Sequence, residues 1–152
     1  MADSGAMDVN LDAIGKTYPP TTYAVGREKI REYATAVGET APVCHHVEAA
    51  QAAGYADVVA PPMFAAVYSS AAIGPPLFDP EIGINFALMV HGGQEFKWGP
   101  LVVAGDEIST TVSVKDVSER RGSGLYVFES VSCNARGETV CTGTWSNVVR
   151  GA

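Results

Sequence analysis

The run "PPMFAAVYSSAAIG", residues 61–74, decides the fold. Two prolines suit a helix start, where a missing N–H costs nothing and φ near −65° is already helical. Gly74 suits its end. The body between them is small or apolar nearly all round. A helix with so little polar surface predicts that other structure wraps it.

The remaining chain supplies the wrapping. Downstream, "INFALMVHGGQEFKW" (84–98) reads as a long strand broken at Gly92-Gly93, which suggests a bulge or a close backbone approach. "EISTTVSVKDV" (107–117) alternates Ile108, Thr110, Val112 and Val114 on one face. "GLYVFESVSC" (124–133) sets Leu125, Val127 and Val131 opposite Tyr126 and Phe128, and "ETVCTGTWSNVV" (138–149) closes the series. The turns "SERRGSG" and "CNARGE" make antiparallel hairpins of the last three. A tight turn at 134–137 would set Cys133 near Glu138 and Cys141 near Ser130, so a disulfide between these cysteines is not expected. Upstream, "TTYAV" (21–25) is a short strand. "GREKIREYATAVG" (26–38) carries Ile30, Tyr33, Ala34 and Val37 at helical spacing, with Gly38 as the stop. A further short helix is expected from about Val47 to Ala53, ended by Gly54. The expected class is α+β: a curved antiparallel sheet of about five strands around one apolar helix. A polar segment, 1–16, precedes a single domain, 17–150.

Composition narrows the function. The 152 residues are 47% hydrophobic, enough for one domain with a real core. A formal net charge of −7 argues against a nucleic-acid partner. Three cysteines at unpatterned spacing, no basic-then-apolar leader and no apolar run of ~18 residues predict a reduced, cytoplasmic protein outside the membrane.

The local sequence carries a resemblance. "GREKIREYATAVGE", "AAGYADVVAPPMF" and "GGQEFKWGPLVVAGDEI" resemble the MaoC-like (R)-specific hydratase/dehydratase family, in its N-terminal MaoC-type form, as in the A-type subunits of mycobacterial (3R)-hydroxyacyl-ACP dehydratases. The likeness runs from about Tyr18 to Val149. It implies the hot-dog fold, acyl-CoA or acyl-ACP thioester substrates and no cofactor. It also implies edge-to-edge pairing, as a homodimer or as a heterodimer with a catalytic MaoC-type subunit.

Dehydrating a 3-hydroxyacyl thioester, or hydrating the 2-enoyl form, needs a base, an acid and donors for an enolate-like oxygen. Catalytic relatives place the first two on G-D-x-N-P-[LIV]-H. Laid on this chain, the motif covers "GETAPVC", residues 38–44. Gly38, Pro42 and Val43 match. Glu39 fills the aspartate slot with roughly 1.5 Å of extra reach. Ala41 fills the asparagine slot, and Cys44 fills the histidine slot with a reference pKa of about 8.5 against about 6.5. His45, one residue on, is the rescue candidate. The oxyanion donor in such relatives is a glycine N–H just before the helix methionine. Here that position is Pro62, which has no N–H. No catalytic residue is therefore assigned.

The resemblance makes Met63, Phe64, Tyr68 and Ser70 candidates for lining an acyl channel. His91 and Gly93, on a glycine-broken strand, are candidates for the channel or a dimer seam. A metal site from Cys44, His45, His46 and Glu48 fits no zinc spacing, so none is expected. Gly105-Asp106 reads as a turn and not as a thioesterase nucleophile. A carrier-docking patch would draw on Lys97, Arg120 and Arg121. Three readings follow: a substrate-binding subunit without its own catalysis, an active homodimeric hydratase using Glu39 and His45, and a stand-alone acyl-CoA-binding or regulatory protein.

Overall fold

The structure is a computed structural model and describes residues 8–151. Strand β1 (Thr21–Ala24) leads into helix α1 (Arg27–Ala36), then α2 (Val47–Ala52). A 3-10 turn, Pro62–Phe64, opens the central helix α3 (Ala65–Leu77). Strands β2 (Met89–Trp98), β3 (Glu107–Arg120), β4 (Ser123–Cys133) and β5 (Thr139–Val149) complete it. All five strands form one antiparallel sheet in the order β1-β3-β4-β5-β2. This is the α+β arrangement expected, a curved sheet carrying one apolar helix.

Alternation sets the sheet's faces. Ile108, Thr110, Val112 and Val114 of β3 are buried together, and a register shift before Asp116 then brings Val117 inward. On β4 the inner face is Tyr126 and Phe128, and on β5 it is Cys141, Gly143, Trp145, Asn147 and Val149. Helix α3 joins two halves of the core. Phe64, Ala65 and Tyr68 pack with Ile30, Val58 and Ile108. One to two turns later, Ala72 and Ile73 pack with Val112, Phe128 and Trp145.

Four expectations are corrected. Helix α3 does not stop at Gly74 but runs through Pro75 and Pro76. In the last turn the fixed proline φ remains helical, and only the bonds to the Ala71 and Ala72 carbonyls are forgone. Nor is α3 wrapped on all sides, since Ser70, Ala71 and Pro75 are exposed. The strand read from Ile84 begins only at Met89, because Asn85 caps a 3-10 turn at Phe86–Leu88 by accepting from the Ala87 N–H. In the last hairpin the turn is longer than tight: Asn134 N–H donates to Glu138 O, Cys133 faces Thr139, and Cys141 faces Ser132 across a register shift.

The segment before residue 17 belongs to the packed unit from Val9 onward. Ala13 is buried, and Gly15 N–H donates to Val114 O. Lys16 bridges Asp79, whose carboxylate also accepts from the Tyr18 hydroxyl. None of the described helices is long and apolar enough to cross a membrane.

Candidate functional site

The site begins at the end of α1. Gly38, at φ +74°, donates to Thr35 O, and Glu39 N–H donates back to Ala34 O at 2.8 Å. This glycine cap turns the chain sharply and sets Glu39 at the helix end. The Glu39 carboxylate then accepts the N–H of Ala41 at 2.8 Å, closing the loop on itself. The 3-10 turn Pro42–Cys44 follows, and His45 ends it.

His45 does not meet the Glu39 carboxylate through the contact it makes here. Its Nε2 lies 2.6 Å from the Glu39 backbone carbonyl. A carbonyl can only accept, so Nε2 carries the proton. From the other side Arg31 Nε donates to the His45 carbonyl at 2.8 Å. His45 thus braces α1 against the loop. Cys44 is buried, and burial, helped by the Glu39 charge, pushes its thiol up. It holds its proton where a catalytic histidine would exchange one. His46 is exposed.

Across from this loop stands the proline pair. Pro61 is extended (φ −55°, ψ 146°) and Pro62 opens the 3-10 turn. Tyr33, Val37, Gly38, Glu39, Pro61, Pro62 and Met63 line an open groove of about 450 Å³. Its volume is that of a small-molecule site. On the far side of the prolines, Trp98 Nε1 donates to the Pro62 carbonyl at 2.9 Å. Pro62 therefore presents no donor, and its carbonyl is engaged.

Comparison with known proteins places this geometry. The FAS1-like dehydratase domain region matches residues 12–143. The chain belongs to this family. A UPF0336 protein of Leifsonia xyli is 45% identical over 144 residues, covering 94% of this chain and 97% of the relative. The crystal structure of the C-terminally truncated HadBC (3R-hydroxyacyl-ACP dehydratase) complex from Mycobacterium tuberculosis matches at 28% identity with a TM-score of 0.79. It covers 92% of this chain and 99% of the matched one. A solved MaoC-like dehydratase matches at 29% identity and TM-score 0.79, over 92% of this chain and 43% of the other. The hot-dog fold and the MaoC-like affiliation expected above both stand.

Within this FAS1-like dehydratase domain, the remaining candidates spread over four places: the groove, the core behind it, the exposed face of α3 and edge strand β2. Met63 lines the groove with Glu39 and Pro62. Phe64 is wholly buried, with Tyr33 and Tyr23 edge-on at 5.3 and 6.2 Å. Tyr68 is buried behind the prolines, where burial and the neighbouring Cys141 thiol push its phenol up. Ser70 lies on the exposed face of α3, its hydroxyl donating to Val67 O. His91 and Gly93 sit on edge strand β2. The register shift between them sets His91 opposite Asn147 and edge-on to Trp145 at 6.0 Å.

Two further expectations meet the structure here. Asp106 does sit in a turn, accepting from the Val103 N–H. Lys97 is separated from Arg120 and Arg121. The arginines close the hairpin that lies beside the Met89 end of β2, whereas Lys97 is eight residues along that strand, about 26 Å away. They form no single patch. Tyr33, Val37 and Trp98 were not singled out as site residues from sequence. The position of Val37 just before a helix-ending glycine was the available signal.

Proposed function

We propose that this chain is the acyl-thioester-binding subunit of an (R)-3-hydroxyacyl-CoA or -ACP dehydratase and does not itself catalyse the reaction. The observation that carries the reading is the His45 contact: the ring nitrogen nearest Glu39 is spent on a backbone carbonyl. With Cys44 protonated and buried, and Pro62 without an N–H, each of the three chemical requirements lacks its usual group. The groove beside Glu39 and Met63 receives the acyl thioester, with Phe64 and Tyr68 behind it. Edge strand β2 offers Met89–Trp98 for pairing with a second hot-dog subunit that brings the Asp/His couple. The working compartment is the cytoplasm.

The test is 2-enoyl-CoA hydration by the purified chain, alone and mixed with a MaoC-type subunit carrying the complete motif. Supporting the reading, the chain alone is silent and the mixture shows a raised rate or a changed chain-length preference. A mixture indistinguishable from the catalytic subunit alone contradicts it.

A second reading is an active homodimeric hydratase using Glu39 and His45. It is favoured by their placement in one loop beside the groove. Loss of a measured activity on substituting both residues distinguishes it.

A further inference from the structure

We propose that Arg120, Arg121 and Arg150 form the docking site for an acidic acyl carrier protein that delivers the thioester; the inference rests on the acyl-binding reading above. The chain is itself acidic, with a formal net charge of −7. Six of its ten basic side chains hold carboxylates of the same chain. The four with no ion pair among the described residues are Lys97, Arg120, Arg121 and Arg150. Three of these four stand at one end of the sheet.

The backbone brings them together. Arg120 pairs with Ser123 across the β3–β4 hairpin, and Arg121 and Gly122 form its two-residue turn. Both turn residues have positive φ, +54° and +77°. Asparagine, aspartate or glycine is the ordinary occupant of the first position, so an arginine is held there under strain. Gly124 pairs with Val149 on the neighbouring strand, and the chain then crosses the turn: a Cβ on Gly151 would stand 2.1 Å from Gly122 O. Arg121 and Arg150 are each one residue from that contact. All three arginines are exposed. Glu119, next to them in sequence, turns its carboxylate to the Gly122 N–H, and one negative charge against three leaves the cluster positive.

Apolar surface adjoins the charge. Arg150 N–H donates to Leu88 O, which sets the Phe86–Leu88 turn against the arginine. The Phe86 ring lies 5.0 Å from that of Phe78, and the two residues are 50% and 67% exposed. Arginine beside exposed aromatic rings is the composition of a protein interface, whereas a phosphate needs the charge alone.

Distance also separates a carrier from free CoA. The groove is lined by Pro62, which Trp98 bonds at the far end of β2. Along that strand Met89 and Lys97 are about 26 Å apart. A pantetheine arm spans ~18 Å by ordinary bond lengths, so CoA seated in the groove keeps its phosphates short of the arginines. A folded carrier of about 80 residues is ~30 Å across and bridges the difference. The acidic surface elsewhere repels such a carrier and orients it on the arginines.

Titration of the full-length chain with two probes separates the docking site from the groove. A bacterial apo acyl carrier protein has no pantetheine arm and reads the arginines alone. Dodecanoyl-CoA offers the groove the arm and the acyl chain without the protein. Wild type is expected to bind both. The triple variant Arg120→Glu, Arg121→Glu, Arg150→Glu is expected to lose at least tenfold for the apo carrier, with dodecanoyl-CoA within twofold. Phe86→Ser leaves every charge in place and is expected to lose about threefold for the carrier alone. Raising salt from about 0.05 M to about 0.3 M should weaken carrier binding by wild type at least fivefold, because exposed charges are screened. Carrier affinity unchanged in the triple variant, or wild type that binds dodecanoyl-CoA and no carrier, overturns the docking site and leaves acyl binding in place. Equal losses for both probes assign the arginines to the phosphates of CoA and overturn the carrier. Wild type that binds neither probe overturns both readings.

Discussion

His45 Nε2 and the carbonyl oxygen of Glu39 stand 2.6 Å apart, and this bond joins the two residues most able to do acid–base chemistry through the wrong atom of one of them. The carboxylate of Glu39 is turned instead to the Ala41 N–H. The loop is therefore closed by its own hydrogen bonds. Replacing His45 should be felt in stability. His45→Ala is expected to lower the unfolding free energy by about 1 kcal/mol, the net worth of one part-buried hydrogen bond. Urea denaturation measures it, and acyl-CoA affinity should stay within twofold.

The core under the groove gives a larger effect. Phe64 is fully buried and meets the edges of Tyr33 and Tyr23. Phe64→Ala should cost about 3–5 kcal/mol. A loss of unfolding free energy smaller than a third of that would mean that the two tyrosine rings repack around the gap.

Asp79 links stability to pH. The Lys16 ammonium, then the Tyr18 hydroxyl, hold its carboxyl down at about 2, against an ordinary 3.8. A depressed carboxyl contributes stability above pH about 4 and loses it as pH falls towards 2. Wild type should thus weaken across that window, and Asp79→Asn should weaken less. The check is denaturation midpoints from pH 5 to pH 2; parallel curves for the two proteins would contradict the assignment.

A close backbone approach supports Trp98. Because an added Cβ on Gly99 would meet the Thr139 carbonyl at 2.2 Å, Gly99→Ala must push the start of β5 away from the end of β2. A loss of about 1–3 kcal/mol is expected, together with an indole fluorescence change reporting the shifted Trp98. Stability and fluorescence both unaltered would show that the strand ends yield freely.

Where a side-chain period is strong, sequence carried the fold. The two-residue alternation through Ile108, Thr110, Val112 and Val114 is reproduced as a buried face, since a slip of one residue would turn all four outward. The helix stop at Gly38 was equally legible, because its positive φ suits glycine. Gly74 carried the same signal without the backbone angle, and the helix went on through two prolines. The hairpin register at Cys133 and Cys141 depended on a bulge that composition does not reveal. At the site, the motif slots Glu39, Cys44 and Pro62 could be read off directly. The His45 brace and the Trp98 bond to Pro62 could not. Each joins a side chain to a backbone carbonyl, and carbonyls are identical at every position.

The account turns on whether the chain catalyses alone. Crotonyl-CoA hydration by the isolated full-length protein, followed by loss of enoyl-thioester absorbance, tests this most directly. The predicted result is a rate equal to buffer for wild type, Glu39→Gln and His45→Gln alike. Turnover by wild type that either substitution abolishes would contradict it and establish Glu39 and His45 as a working pair.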